Sequence, residues 1–214
     1  MTEKIQKRLL DLKAAQDADQ PMRCPRCGAD TMKHPIPFDE SDNNRLRGVS
    51  RMESLEIVLE KSHSTYTEEQ KAVFATKKND IYRELLHQMS VVDLADEVRN
   101  TLHAFRSMGL KLAIGSSSRN TPFILERIGL SGFFDAIADG NGITRSKPDP
   151  EVFLLAAKLI GLQPCECLVV EDARAGVVAA CAGGFDCAAI GDAKDDPRAA
   201  YHLTAFAELM NYVQ

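Results

Sequence analysis

The 214-residue chain lacks any apolar stretch near the roughly 20 residues that cross a bilayer, and it has no internal repeat and no low-complexity segment. Membrane-spanning helices and repeat arrays are therefore not expected. A concentrated Lys/Arg face is also missing. With 26 basic against 31 acidic residues the formal charge is −5, which argues against nucleic acid or an anionic membrane as partner. Local basic residues still leave room for a phosphorylated small molecule. The opening MTEKIQKRLLDLKAAQ carries charges every few positions where a signal peptide would carry an apolar block. Disulfide-framework spacing is absent too. Of the six cysteines, Cys165, Cys167, Cys181 and Cys187 sit in apolar or strand-and-helix surroundings, which suits buried free thiols in a reducing cytoplasm.

What is present is enough for one sizeable α/β domain with a smaller companion. Residues 3–19 place Ile5, Leu9, Leu12 and Ala15 near helical spacing. Pro21, Pro25, Pro35 and Pro37, with Gly28, make positions 20–40 irregular. From about residue 42 to 90 the pattern is helical, with a Thr67-x-x-Gln70 capping box opening a long helix. A further helix is expected near 93–107, ending at Gly109.

Beyond Gly109 strands and helices alternate. LKLAIG, FFDAIADG, CLVVED and CAAIG read as strands. The intervening helices carry their own punctuation: Thr121 as N-cap with Pro122 and Gly129, then Asp149 as N-cap with Pro150 and Gly161. This spacing predicts a parallel sheet with helices on both faces.

Ligands in such sheets bind beyond the carboxyl ends of the strands. Three of those ends carry suggestive groups: Ser116 to Asn120, Lys147, and Glu171 with Asp172. Each alone also suits a plain role, as turn serines, a solvated lysine or a helix N-cap. Together they supply hydroxyls for phosphoryl oxygens, an ammonium to neutralise charge, and paired hard oxygen donors for Mg²⁺.

The order of these motifs, with SKPDPEVF and VVEDARAGV, resembles the haloacid-dehalogenase superfamily of phosphotransferases. More narrowly, NNRLRGVSRMESLEIVLE, KKNDIYRELL, GSSSRNTPFILERIGLSGFFDAIAD and SKPDPEVFLLAAKLIGL resemble the β-phosphoglucomutase family over about 36–214. The resemblance implies a Rossmann-like α/β core, residues 93–214, preceded by a helical cap domain, residues 36–92. It implies that Ser116 holds the transferring phosphoryl group and that Lys147 bridges it to a nucleophilic carboxylate. Glu171 and Asp172 would hold Mg²⁺. Arg51 would grip a distal phosphate together with Ser118, Arg119 and Asn120, while Lys78 and Asn79 touch sugar or phosphate. The implied reaction converts β-glucose 1-phosphate into glucose 6-phosphate through a bisphosphate intermediate, with a hexose phosphate as the small-molecule partner.

One feature of the pattern is missing. The family begins with an apolar strand ending in Asp-x-Asp, whose first Asp is the nucleophile, and no such strand precedes the cap here. Asp39-Glu40-Ser41-Asp42 comes nearest, but its spacing differs, it follows HPIPF, and it matches the loop entering the cap. The resemblance places the missing strand at the centre of the sheet, between the strands ending at Ser116 and at Asp172. In its stead stands MRCPRCGADTM, which resembles the start of a small zinc-ribbon protein. Cys24 and Cys27 form a candidate zinc half-site, with His34 as a third donor, but the second cysteine pair is absent and zinc is not expected there. Residues 1–35 thus read as a truncated segment joined near Ile36, and a chain without the nucleophile is expected to be inactive or impaired. Two alternatives stand beside this: a non-catalytic sugar-phosphate or zinc-dependent interaction protein, and a sugar phosphatase of the same superfamily.

Overall fold

The structure is a computed structural model that describes residues 36, 39–62 and 64–213. The helix expected over 3–19 and the Cys24–Cys27 half-site lie outside the described residues. The chain divides into two compact units, each described by itself. The first takes in the described residues up to Leu46 together with Arg51–Gln88; the second is Arg47–Ser50 with the chain from Met89 onward.

The first unit is helical: α1 (Glu40–Arg45), α2 (Arg51–Leu59) and α3 (Glu68–His87). Asp39 caps α1 in a reciprocal box. The Asp42 N–H donates to Asp39 Oδ1 at 2.9 Å and the Asp39 N–H donates to Asp42 Oδ2 at 3.0 Å. Lys61 Nζ donates to the same buried Asp42 carboxylate. These two carboxylates therefore act as helix cap and ion-pair partner. The predicted box of α3 forms: Gln70 N–H to Thr67 Oγ1 at 3.3 Å, and Thr67 N–H to Gln70 Oε1 at 3.0 Å.

In the second unit α4 (Asp96–Ser107) leads into alternating elements: β1 (Ala113–Gly115), α5 (Thr121–Arg127), β2 (Ala136–Ala138), α6 (Glu151–Ile160), β3 (Leu168–Glu171), α7 (Arg174–Ala182), β4 (Asp186–Ile190) and β5 (Tyr201–Leu203). Each pairing among these strands is parallel. Helices cover both faces, because alternate strand residues feed opposite clusters. Val169, Cys187 and Ala189 pack with α6 and α7, whereas Leu168, Val170 and Ala188 pack with Phe105 of α4 and with Leu203 and Leu209.

The sheet is divided. β1 pairs with β2, and separately β3 pairs with β4 and β4 with β5. Among the described residues β1 and β3, the strands whose ends carry Ser116 and Asp172, do not pair with each other, and the family resemblance places its missing strand between them.

Four local expectations need correcting. Thr121 lies inside the first turn of α5, and Asn120 is at the cap position. Pro150, not Asp149, precedes α6; Asp149 Oδ1 instead accepts from the Glu151 N–H at 3.0 Å. β5 was not expected, for its three residues Tyr201-His202-Leu203 are too short to show a period. Of the four cysteines taken as buried thiols, only Cys187 is buried; Cys165 and Cys181 are exposed and Cys167 is intermediate.

Candidate active site

Strand ends place the candidate residues of the second unit. Ser116 continues β1, its N–H donating to the Ala138 carbonyl at 2.9 Å. A hydroxyl ladder then turns the chain. Ser116 Oγ accepts from the Ser118 N–H at 3.2 Å, Ser118 Oγ accepts from the Asn120 N–H at 3.1 Å, and Thr121 Oγ1 donates to the Ser118 carbonyl at 2.8 Å. Each serine oxygen keeps its own proton as a donor. The turn closes tightly over the end of β2: a Cβ on Gly140 would lie 2.4 Å from the Ser117 carbonyl oxygen, so no larger residue fits there. Arg119 Nε donates to the Gly140 carbonyl at 3.1 Å and so anchors this turn.

Ser117, to which sequence reasoning gave no role of its own, is a junction. Its Oγ donates to the Gly48 carbonyl at 2.7 Å and lies 3.5 Å from the Lys147 backbone nitrogen, a long donor contact. Lys147 in turn reaches β3, with Nζ donating to Glu171 Oε2 at 2.6 Å. Only 6% and 7% of these two side chains are exposed, so the pair is shielded from water. The other Glu171 oxygen, Oε1, accepts from the Asp172 and Ala173 N–H groups, each at 3.1 Å. Lys147 Nζ also lies 4.5 Å from the centroid of the Phe153 ring. Burial pushes the Glu171 carboxyl above its ordinary range, against the opposing pull of the Lys147 ammonium and the backbone donors.

Room for this carboxylate comes from Gly176. A Cβ there would stand 2.1 Å from Glu171 Cδ, so the first turn of α7 must carry glycine.

Asp172 is half exposed, and Arg47 Nη1 lies 3.9 Å from its Oδ2. The same Arg47 nitrogen makes a closer ion pair with Asp192. Arg47 and Asp192 were both missed. Asp192 carried a readable signal, since it follows the end of β4 just as Asp172 follows β3; Arg47 carried none. Ser117, Lys147, Glu171, Asp172, Arg47 and Asp192 are thus joined by one run of contacts at the carboxyl ends of the strands.

Among the described residues no group of three or more His, Cys, Asp or Glu side chains is placed to hold a metal. The donor chemistry nonetheless suits Mg²⁺, which commonly takes one or two carboxylates plus water and substrate phosphate. The half-exposed Asp172 is the donor within reach, and Glu171 would have to share Oε2 with Lys147.

In the first unit α2 and α3 bring Arg51 and Asn79 together, with Arg51 Nη2 donating to Asn79 Oδ1 at 2.7 Å. Lys78 precedes Asn79 on α3. An arginine held in place by an amide is a preorganised donor for a phosphate.

Residues 28–184 match the family model "haloacid dehalogenase-like hydrolase", a match that begins ahead of the joint expected near residue 36. β-Phosphoglucomutase of Bacillus subtilis is 36% identical over 158 residues, 73% of this chain and 70% of that protein. A "phosphorylated carbohydrates phosphatase" of Thermotoga maritima is 30% identical over 154 residues, 70% of this chain and 68% of that protein. Among solved structures, β-phosphoglucomutase of Clostridium difficile superposes with a TM-score of 0.77 at 32% identity, covering 85% of this chain and 83% of the other.

Proposed function

Since this chain belongs to the haloacid dehalogenase-like hydrolase family, we propose that it binds hexose phosphates in the manner of a β-phosphoglucomutase and is inactive or strongly impaired as a mutase by itself. The observation that carries the reading is the buried Lys147–Glu171 pair set between the Ser116–Asn120 turn and Asp172.

The roles follow from chemistry. Lys147 brings a fixed positive charge to the strand ends, and Ser116 and Ser118 offer hydroxyl protons to phosphoryl oxygens. Glu171 holds the ammonium at one position, so the charge is preorganised before any ligand arrives. Mg²⁺, held by Asp172 with Glu171, would supply charge neutralisation of the phosphate. Arg51, steadied by Asn79, with Lys78 beside it, is the proposed grip on a second phosphate or the sugar, and Arg119 and Asn120 the grip from the core.

Phosphoryl transfer also needs a nucleophile in line with the phosphorus. The carboxylates nearest that role are engaged otherwise: Asp39 and Asp42 in the α1 cap, Glu171 with Lys147, and Asp172 beside Arg47. Binding should therefore persist where turnover does not.

A second reading, a sugar phosphatase, is favoured by the Thermotoga maritima relative. Titration calorimetry of the full chain with β-glucose 1-phosphate and Mg²⁺ tests the binding claim. A saturable heat that Arg119→Ala weakens supports it, and no heat removes it. Release of inorganic phosphate from the same sugar would establish the phosphatase reading. The N-terminal segment 1–35 is proposed to add no zinc site, which metal analysis of untagged protein would check, and the expected compartment is the cytoplasm; among the described residues no helix is long and apolar enough to cross a membrane.

A further inference from the structure

We propose that Asp192 is a positioning residue for the Mg²⁺ site: it holds the Arg47 guanidinium off Asp172, so that the Asp172 carboxylate stays open to the cation. This rests on the proposed reading of Asp172 as a Mg²⁺ donor, and adds how that donor is kept from the cationic side chain beside it.

Two strand ends bring the carboxylates side by side. β3 and β4 run in parallel register with Glu171 opposite Ala189, so Asp172 leaves β3 one step beyond that pair, and β4 ends at Ile190. Gly191 then turns the chain at a φ of 61°, a left-handed value that suits glycine. A Cβ on Gly191 would lie 3.7 Å from the Asp172 Cβ, an ordinary van der Waals distance, so the turn rests directly on Asp172. Asp192 is the next residue of that turn.

Arg47 reaches the same place from far away in sequence. Its neighbour Gly48 is fixed at the strand ends: the Gly48 carbonyl accepts from Ser117 Oγ at 2.7 Å, and a Cβ on Gly48 would lie 3.5 Å from Lys147 Cδ and 3.8 Å from Ala173 Cβ. The Arg47 side chain is 20% exposed, and its Nη1 pairs closely with Asp192 while lying 3.9 Å from Asp172 Oδ2. The longer approach is beyond hydrogen-bond range, so the short ion pair goes to Asp192.

Charge and geometry give this arrangement a consequence. A guanidinium facing a single carboxylate can take both oxygens in a bidentate pair, which leaves fewer lone pairs for a metal. A second carboxylate draws it away. With Asp192 holding Arg47, the two side chains together carry no net charge, and a dication arriving at Asp172 meets little repulsion from them. The Asp172 and Asp192 side chains are each half exposed, so a hydrated ion has access to Asp172 from solvent.

The test is a double-variant cycle on the full-length protein with Mn²⁺ and no sugar, because Mn²⁺ shares the octahedral oxygen preference of Mg²⁺. Electron paramagnetic resonance counts the free ion, and added Mg²⁺ should displace the bound one. Asp192→Asn should weaken Mn²⁺ binding by about tenfold or more, as Arg47 closes onto Asp172. Arg47→Gln in the parent should change the affinity by no more than about threefold, the scale of a partly exposed charge. In the Asp192→Asn background the same Arg47→Gln change should restore about tenfold. A purely structural role for Asp192 would not be rescued by removing a second side chain.

Unchanged Mn²⁺ binding in Asp192→Asn, or an Arg47→Gln effect of equal size in both backgrounds, would overturn the proposal; parent binding that Asp172→Asn abolishes would then leave the Mg²⁺ reading standing. No saturable Mn²⁺ binding by the parent, or binding that Asp172→Asn leaves intact, would remove that reading and the proposal with it.

Discussion

Lys147 Nζ and Glu171 Oε2 stand 2.6 Å apart, both side chains almost wholly buried, and they link a loop to the last residue of a strand 24 positions later. A buried pair of this kind adds little net stability over an apolar pair, but removing one member leaves a charge without its partner. Lys147→Met alone should destabilise the protein by about 3 kcal/mol, and Glu171→Gln alone by a similar amount. The double variant should recover most of the loss, because the carboxamide oxygen introduced by Glu171→Gln can still accept the Asp172 and Ala173 N–H groups. Urea denaturation of the four proteins measures the coupling; additive losses would contradict it.

Gly176→Ala offers a test that leaves both charges in place. The added methyl would fall on the Glu171 carboxyl carbon, which is pinned by three donors and cannot swing aside. A cost of about 1–3 kcal/mol is expected, with weaker hexose phosphate binding in the same variant. An unchanged denaturation midpoint would show that Glu171 is not held as described.

Thiol chemistry should divide the cysteines of the second unit. Burial pushes the Cys187 thiol up to about 12, while Cys165 and Cys181 are exposed. Iodoacetamide at about pH 8 should label Cys165 and Cys181 within minutes and Cys187 only after unfolding, read by peptide mass spectrometry. Early modification of Cys187 would contradict its place within β4.

Asp196 sets an acid limit. Its buried carboxylate accepts from Arg198 Nε at 2.8 Å and from the Arg198 N–H at 3.1 Å, and the guanidinium lowers its pKa from 3.8 to about 2. A depressed carboxylate stabilises the folded state above the unfolded value and loses that contribution as pH falls through the folded value. The window therefore runs from about pH 4 down to about pH 2. Asp196→Asn should cost on the order of 1–2 kcal/mol at neutral pH, the upper figure discounted because Arg198 is half exposed. The gap between variant and parent should close across that window.

Much of this was legible in the sequence where a local rule governed. The Thr67 box, the Gly161 terminus with φ of 70° and the β1, β3 and β4 strands all follow from short-range chemistry. The candidate residues at the strand ends were legible for the same reason: a strand followed by a polar turn announces its own carboxyl end. Pairings made only in three dimensions were not. Arg47 meets Asp192 across more than a hundred residues, and Arg47 lies in no pattern that sets it apart. β5 was too short for a period, and Cys165 and Cys181 had apolar neighbours in sequence without burial in space. The missing strand was read from the resemblance, but that the sheet would part at that position is a property of the edges themselves.

The central claim is a site that keeps the proposed phosphate-binding groups while Asp39, Asp42, Glu171 and Asp172, among the described residues, are all otherwise engaged. Phosphorus NMR of the full chain at stoichiometric concentration with β-glucose 1-phosphate, a trace of the bisphosphate and Mg²⁺ tests it most directly. The account predicts line broadening of the sugar phosphate, as it binds, with no glucose 6-phosphate formed over hours. Steady conversion to glucose 6-phosphate over many turnovers would contradict it and would require an attacking group other than Asp39, Asp42, Glu171 and Asp172.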